Sequence, residues 1–194
     1  LDEVGKTNTH KGLSFFAKKD SPLCQKLVLQ SEATDRFASY KSLVREEFAR
    51  NSSVFLLVPT MQDAQRAEGL LKKGVEKYTF VLHGALTKKE MISRWRNALK
   101  SIHPVLIIAT GLFLSLPRQD LGTIIVEREN SRAYKQLRRP FIDTRIFAEI
   151  YARERKARII FSDLPLQIET MWRYQEGELD ELSPLKLRTV RGAL

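Results

Sequence analysis

The chain carries one cysteine, Cys24, and three histidines, His10, His83 and His103, spread along 194 residues. A single thiol excludes an internal disulfide and any multi-thiolate zinc site, and it fits a reducing, cytoplasmic compartment. The scattered histidines have no metal-ligand spacing, so no metal is expected. No apolar run approaches the roughly 18–20 residues that cross a bilayer, which argues against a membrane partner. The opening residues, LDEVGKTNTHKG, lack the apolar core of a secretory signal. An initiating methionine is also missing, which fits a piece of a longer protein.

What is present has the balance of a globular domain, 43% hydrophobic and 29% charged. One sizeable core, and hence one domain, is expected at this length. The net charge is +10, from 33 Lys/Arg against 23 Asp/Glu. Segment 128–158 holds ten of the cations: Arg128, Arg132, Lys135, Arg138, Arg139, Arg145, Arg153, Arg155, Lys156 and Arg158. Its only acids are Glu129, Asp143, Glu149 and Glu154. Clustered positive charge points to a polyanionic partner more strongly than diffuse charge does. Nucleic acid is therefore favoured over a merely solvated face.

Along the chain, positions 1–26 are polar and Lys-rich and read as a tail or linker. Short apolar runs at 27–30, 54–58, 78–82, 105–109, 123–126 and 157–161 read as strands, several of them β-branched and buried on both faces. Helical patterns fall between them. One runs from Thr34 or Asp35 to about Asn51, with Phe37, Tyr40, Val44 and Phe48 on one face. A second covers 61–73. A third opens on a capping box at Thr87 and Glu90 and faces Ile92, Trp95 and Leu99 inward. The fourth, 143–155, has Ile146, Phe147 and Ile150 as its apolar stripe, and the fifth covers 165–174. Trp95 and Trp172 are expected in the core. Positions 176–194 are expected to form an extended tail. Strands alternating with helices predict one three-layer α/β domain with a mainly parallel sheet over 27–175.

The stretch 104–136, PVLIIATGLFLSLPRQDLGTIIVERENSRAYKQ, organises the rest. Its second strand empties into Glu127-Arg128-Glu129-Asn130, and open α/β sheets place their ligand sites at such strand ends. IIATGLFLSLP, LGTIIVEREN and SRAYKQLRRPF, in that order and spacing, resemble the helicase core of the primosomal protein N′ family, the replication-restart DNA helicases. In that family a TR-S-A-L-F-like segment precedes L-G-L-I-I-V-D-E-E-H and then S-Y-K-Q. The resemblance covers residues 27–175 and corresponds to the first motor lobe. It implies a P-loop-NTPase-like (RecA-like) fold. The family's cysteine-rich zinc-binding insertion is absent from these residues.

The family's nucleotide motifs have decayed here while their apolar frame persists. Its phosphate loop, G-V-T-G-S-G-K-T-E-V-Y, aligns with residues 30–40, where no glycine occurs. Arg36 stands at the lysine position and Phe37 at the Mg²⁺-binding hydroxyl. A loop without glycine does not readily adopt the turns that aim several amides at one anion. The acidic motif D-E-E-H corresponds to Glu127-Arg128-Glu129-Asn130, and Arg128, at the water-activating glutamate, is no base near neutral pH. The coupling segment G-S-A-T-P-S-L-E-S aligns with residues 161–170 and has lost its S-A-T centre. No catalytic residue and no resident cofactor are expected. ATP and Mg²⁺ enter only if an atypical site still binds them.

The DNA-side motifs are better kept. Val58-Pro59 matches an L-V-P segment with Thr60 next, and residues 81–87 resemble V-L-H-S-G-L-S. Thr60, His83, Gly84, Thr87 and Thr110 carry over as contacts to the sugar-phosphate backbone. Arg132, Tyr134, Lys135, Arg138 and Arg139 resemble the family's aromatic-rich loop, and cations around one aromatic suit single-stranded or forked DNA. The expected function is a DNA-binding lobe acting in replication or replication restart without ATP hydrolysis, beside other primosome proteins. Two alternatives stand: the first lobe of an active ATP-dependent DNA helicase with an atypical nucleotide site, or a protein-interaction lobe.

Overall fold

The strands form where the sequence concentrates β-branched and large apolar residues, because such runs bury both faces of a parallel sheet. A computed structural model describes residues 24–182; the expected tails, 1–26 and 176–194, therefore fall largely outside the described residues. Seven strands make one sheet: β1 (Lys26–Gln30), β2 (Ser53–Leu57), β3 (Thr79–Leu82), β4 (Leu106–Ala109), β5 (Leu121–Glu127), β6 (Arg158–Asp163) and β7 (Asp180–Glu181). Their order is β3-β4-β2-β5-β6-β1-β7, and every neighbouring pair is parallel. β7 was not expected: residues 180–181 pair with Leu27 and Val28, and the preceding Leu179 is buried. The domain thus continues past 175.

Two helices, α1 (Ala33–Ala49) and α2 (Met61–Leu71), cover one face of the sheet. Three more, α3 (Lys88–Lys100), α4 (Thr144–Arg155) and α5 (Ile168–Gln175), cover the other. The expected three layers are present. α3 has its capping box, in which Thr87 accepts from the Glu90 amide and the Glu90 carboxylate accepts from the Thr87 amide at 3.0 Å. α4 is capped by Asp143, which accepts from the Arg145 amide at 3.0 Å, and it ends at Lys156 in a left-handed conformation. No described helix is long and apolar enough to cross a membrane.

α4 lies the other way round from the expectation. Arg145, Ala148 and Ala152 face the sheet, whereas Ile146, Phe147 and Ile150 point outward, Ile146 being 61% exposed. Small residues let the helix approach the sheet closely, and the large apolar stripe is left exposed among the described residues. Close approach also governs its first turn: a Cβ on Gly111 would come within 2.6 Å of Thr144 Cγ2, so the turn after β4 rests there only as glycine. Trp172 is likewise no core residue, at 60% exposed. Trp95 packs against the core and lies 6.3 Å from Phe113.

Ala148→Leu should cost about 1–3 kcal/mol in urea denaturation through overpacking, and Ile150→Ser should stay within about 0.5 kcal/mol, as for other exposed sites. The opposite ranking would mean that α4 is rotated.

Candidate functional site

The carboxyl ends of β1, β6 and β5 lie side by side, with Gln30 level with Asp163 and Glu127 level with Ser162. Only Ser31 and Glu32 separate β1 from α1, so the residues aligned with a phosphate loop are mostly helix. Arg36 is buried and faces Glu127, also buried, at the end of β5. Its guanidinium donates twice to the carboxylate, Nε to Oε2 at 3.1 Å and Nη2 to Oε1 at 2.9 Å, and Nη1 donates to the Ser31 carbonyl at 2.6 Å. Tyr40, one turn further along α1, donates to Glu127 Oε2 at 2.6 Å and meets the Ser162 hydroxyl. Burial, with the Glu127 charge beside it, pushes the Tyr40 phenol well above its ordinary value, so it stays a donor.

Phe37, at the position of a metal-binding hydroxyl, is buried edge-on to Tyr40, ring centres 5.3 Å apart. Arg128 has φ +51°, in the left-handed region, and bonds Asp63 at 2.8 Å. Glu129 is fully buried, where its carboxylate accepts from the Gln167 amide and the Thr170 hydroxyl and so caps α5. Burial raises this carboxyl above its ordinary value despite those bonds. Arg36, Glu127, Arg128 and Glu129 are thus each engaged by the protein itself.

The five expected backbone contacts gather at one end of the sheet, because β3, β4 and β2 are neighbours. Thr60 follows β2, His83 and Gly84 follow β3, Thr110 follows β4, and Thr87 opens α3. Their side chains differ in freedom. Thr60 is held by Asp63 at 2.6 Å and Thr87 by Glu90 at 2.7 Å. The His83 ring is largely enclosed, with Nδ1 buried and without a hydrogen-bond partner among the described residues. Gly84 is exposed, and the Thr110 hydroxyl makes no hydrogen bond among the described residues.

The basic segment divides in two. Arg145 and Arg158 serve as internal struts, to Asp143 and Glu47, while the exposed Arg128 pairs with Asp63 at the surface. Arg145 also donates to the Glu129 carbonyl at 2.6 Å and lies over the Tyr134 ring. Arg132, Lys135, Arg138 and Arg139 are exposed and have no ion pair among the described residues. Tyr134 corrects the expectation of a stacking aromatic: it is 1% exposed, and its hydroxyl reaches the carbonyls of Leu57 at 3.1 Å and Glu127 at 2.5 Å. The exposed aromatic of this loop is Phe141, 64% exposed and held at φ +47° by a turn onto the Arg138 carbonyl at 2.8 Å. A bulky residue with positive φ is strained, and such strain concentrates at functional sites. The sequence marked Arg36 at a lysine position and Tyr40 on the apolar stripe of α1, but not that both meet Glu127.

A parallel sheet of this order, with helices on both faces and charged strand ends, defines a RecA-like helicase-type domain. Solved structures agree: the chain is similar to the "Mss116p DEAD-box helicase domain 2 bound to an RNA duplex" (TM-score 0.59, 9% identity, 84% of this chain and 65% of that one). It is also similar to the C-terminal domain of the DEAD-box protein Dbp5 (TM-score 0.57, 14% identity, 82% of this chain and 89% of that one). At such identities the likeness speaks to the fold alone, not to which helicase lobe this is. In sequence the chain is PriA-like. It is 29% identical to replication restart protein PriA of Buchnera aphidicola subsp. Schizaphis graminum, over 65% of this chain and 18% of that protein. The corresponding protein of Chlamydia muridarum is 28% identical over 68% of this chain and 17% of that one. The chain therefore spans less than a fifth of the length of these relatives. No family model matches it.

Arg36→Met alone should cost about 3–5 kcal/mol by leaving Glu127 charged and buried, while Arg36→Met/Glu127→Leu should recover much of that in urea denaturation. A single-variant cost near zero would mean that the pair is not buried. Asp143 sits below its ordinary value of 3.8: burial raises it, but the Arg145 side-chain and backbone bonds more than offset that. A depressed carboxyl adds stability above its unfolded value, and that contribution is lost as pH falls through the folded one. Asp143→Asn should therefore flatten the stability profile below about pH 4; parallel profiles would rule this out.

Proposed function

We propose that this PriA-like lobe binds DNA in replication restart and does not hydrolyse ATP at the strand-end site. The observation that carries the second half is the Arg36–Glu127 pair with Tyr40 and Ser162 around it. A nucleotide phosphate and Mg²⁺ need a ring of amides, a hydroxyl and an available carboxylate. Here those positions hold a helix, a phenylalanine and a carboxylate already bonded by a guanidinium and a phenol. These residues do not fit nucleotide and metal, and no hydrolytic step is routed through them.

DNA is supported by the likeness to PriA and by the four exposed cations, Arg132, Lys135, Arg138 and Arg139, beside Phe141. Phosphates meet the cations and a base or sugar stacks on Phe141, an arrangement suited to unpaired strands. Gly84 and Thr110 add backbone contacts from the neighbouring strand ends. Tyr134 acts beneath the loop, holding its base in place.

Fluorescence anisotropy with single-stranded, duplex and forked oligonucleotides, over a salt series with and without ATP, tests this. Affinity should fall steeply with salt and ignore ATP. Replacing Arg138 and Arg139 by alanine should lower the salt slope by about one unit per lost phosphate contact, and Phe141→Ala should weaken single strands more than duplex. Affinity that shifts with ATP, or that ignores salt, would overturn the reading.

A further inference from the structure

The outward stripe of α4 has no role in the reading above. Ile146, Phe147 and Ile150 form a continuous apolar ridge, and α5 presents a second one in Ile168 (84% exposed) and Trp172. The two helices are adjacent, since Arg173 on α5 bonds Glu149 on α4 at 2.7 Å and 3.0 Å. A cleft of about 260 Å³ lies between them, lined by Ile146 and Glu149 on one side and Thr170 and Arg173 on the other, with Lys135 at its end. Large apolar residues on the outside of a helix whose inner face is Ala148 and Ala152 are unlike ordinary surface composition, and contiguous patches of this kind mark interaction sites.

The geometry points to a docking surface on α4 and α5 for an amphipathic helix of a protein partner, with acidic residues flanking its apolar face. Two neighbouring apolar ridges, exposed beside a cleft lined mainly by charged side chains, suit an amphipathic helix that lays residues at i, i+3, i+4 and i+7 against the ridges and its polar flank along the cleft. Charge selects the flanks. Lys135, Arg138 and Arg139 precede α4 without an ion pair among the described residues, whereas Asp143 and Glu149 are neutralised by Arg145 and Arg173. Glu169 is an acid lining the cleft without an ion pair among the described residues. A second copy of the chain is a poor occupant, because a two-fold pairing of α4 sets Arg138 and Arg139 of one copy near Arg153, Arg155 and Lys156 of the other. Nucleic acid is a poor occupant of the ridges too, since most of their large residues are aliphatic and carry no charge.

The full chain can be labelled and used to select a yeast-displayed library of helices with apolar residues fixed at those four positions and Glu, Lys, Ser or Gln elsewhere. Glu-rich clones should be enriched. They should lose about tenfold or more in affinity on Ile146→Ser/Ile150→Ser, as at interface centres. That variant should keep its melting temperature and its oligonucleotide affinity. No enrichment, enrichment of Lys-rich or neutral clones, or undiminished binding to the variant would overturn the proposal. Loss of oligonucleotide affinity would assign the face to nucleic acid instead, and a dimer dissolved by the variant would assign it to self-association.

Discussion

The buried pair of Arg36 and Glu127 is the constraint on which the charged end of this domain depends. It joins α1 to the carboxyl end of β5 through two hydrogen bonds between buried ions. Two ions taken out of water cost several kcal/mol each, which only close geometry and further hydrogen bonds offset. The fold supplies both, through Tyr40, Ser162 and the Ser31 carbonyl. The backbone of the same glutamate accepts from Tyr134, so the foot of the basic loop is fixed to the pair as well.

Much of this architecture was readable from residue order. The β-branched runs marked six of the seven strands, and the stripe of Phe37, Tyr40 and Val44 fixed the inner face of α1. Periodicity reports a stripe but not the side on which it lies, and that is why α4 came out reversed: Ala148 and Ala152 bring it close to the sheet, a choice that depends on the depth available there. β7 escaped because two residues carry no period at all.

The site was legible in position more than in chemistry. Counting cations over 128–158 could not separate the buried Arg145 and the partly buried Arg158, whose acids lie in a local turn or far away in sequence, from exposed cations such as Arg132, Lys135, Arg138 and Arg139. Tyr134 and Phe141 exchanged roles for a similar reason. The Tyr134 hydroxyl reaches two buried carbonyls and ties that ring to the interior, whereas phenylalanine has no polar group to tie it there. The result is an interior bonded to itself and an exterior with cations and apolar ridges left over.

The strand at the outer edge has a consequence for the behaviour of the domain in concentrated solution. β7 covers β1 with a pairing of only two residues, and β3 closes the other edge with four. Without β7, the apolar KLVLQ strand would present a row of open amides and carbonyls to any passing chain. Short edges of this kind are poor templates for strand addition. Whatever joins this lobe is thereby steered to its helices and loops, and away from sheet-to-sheet aggregation.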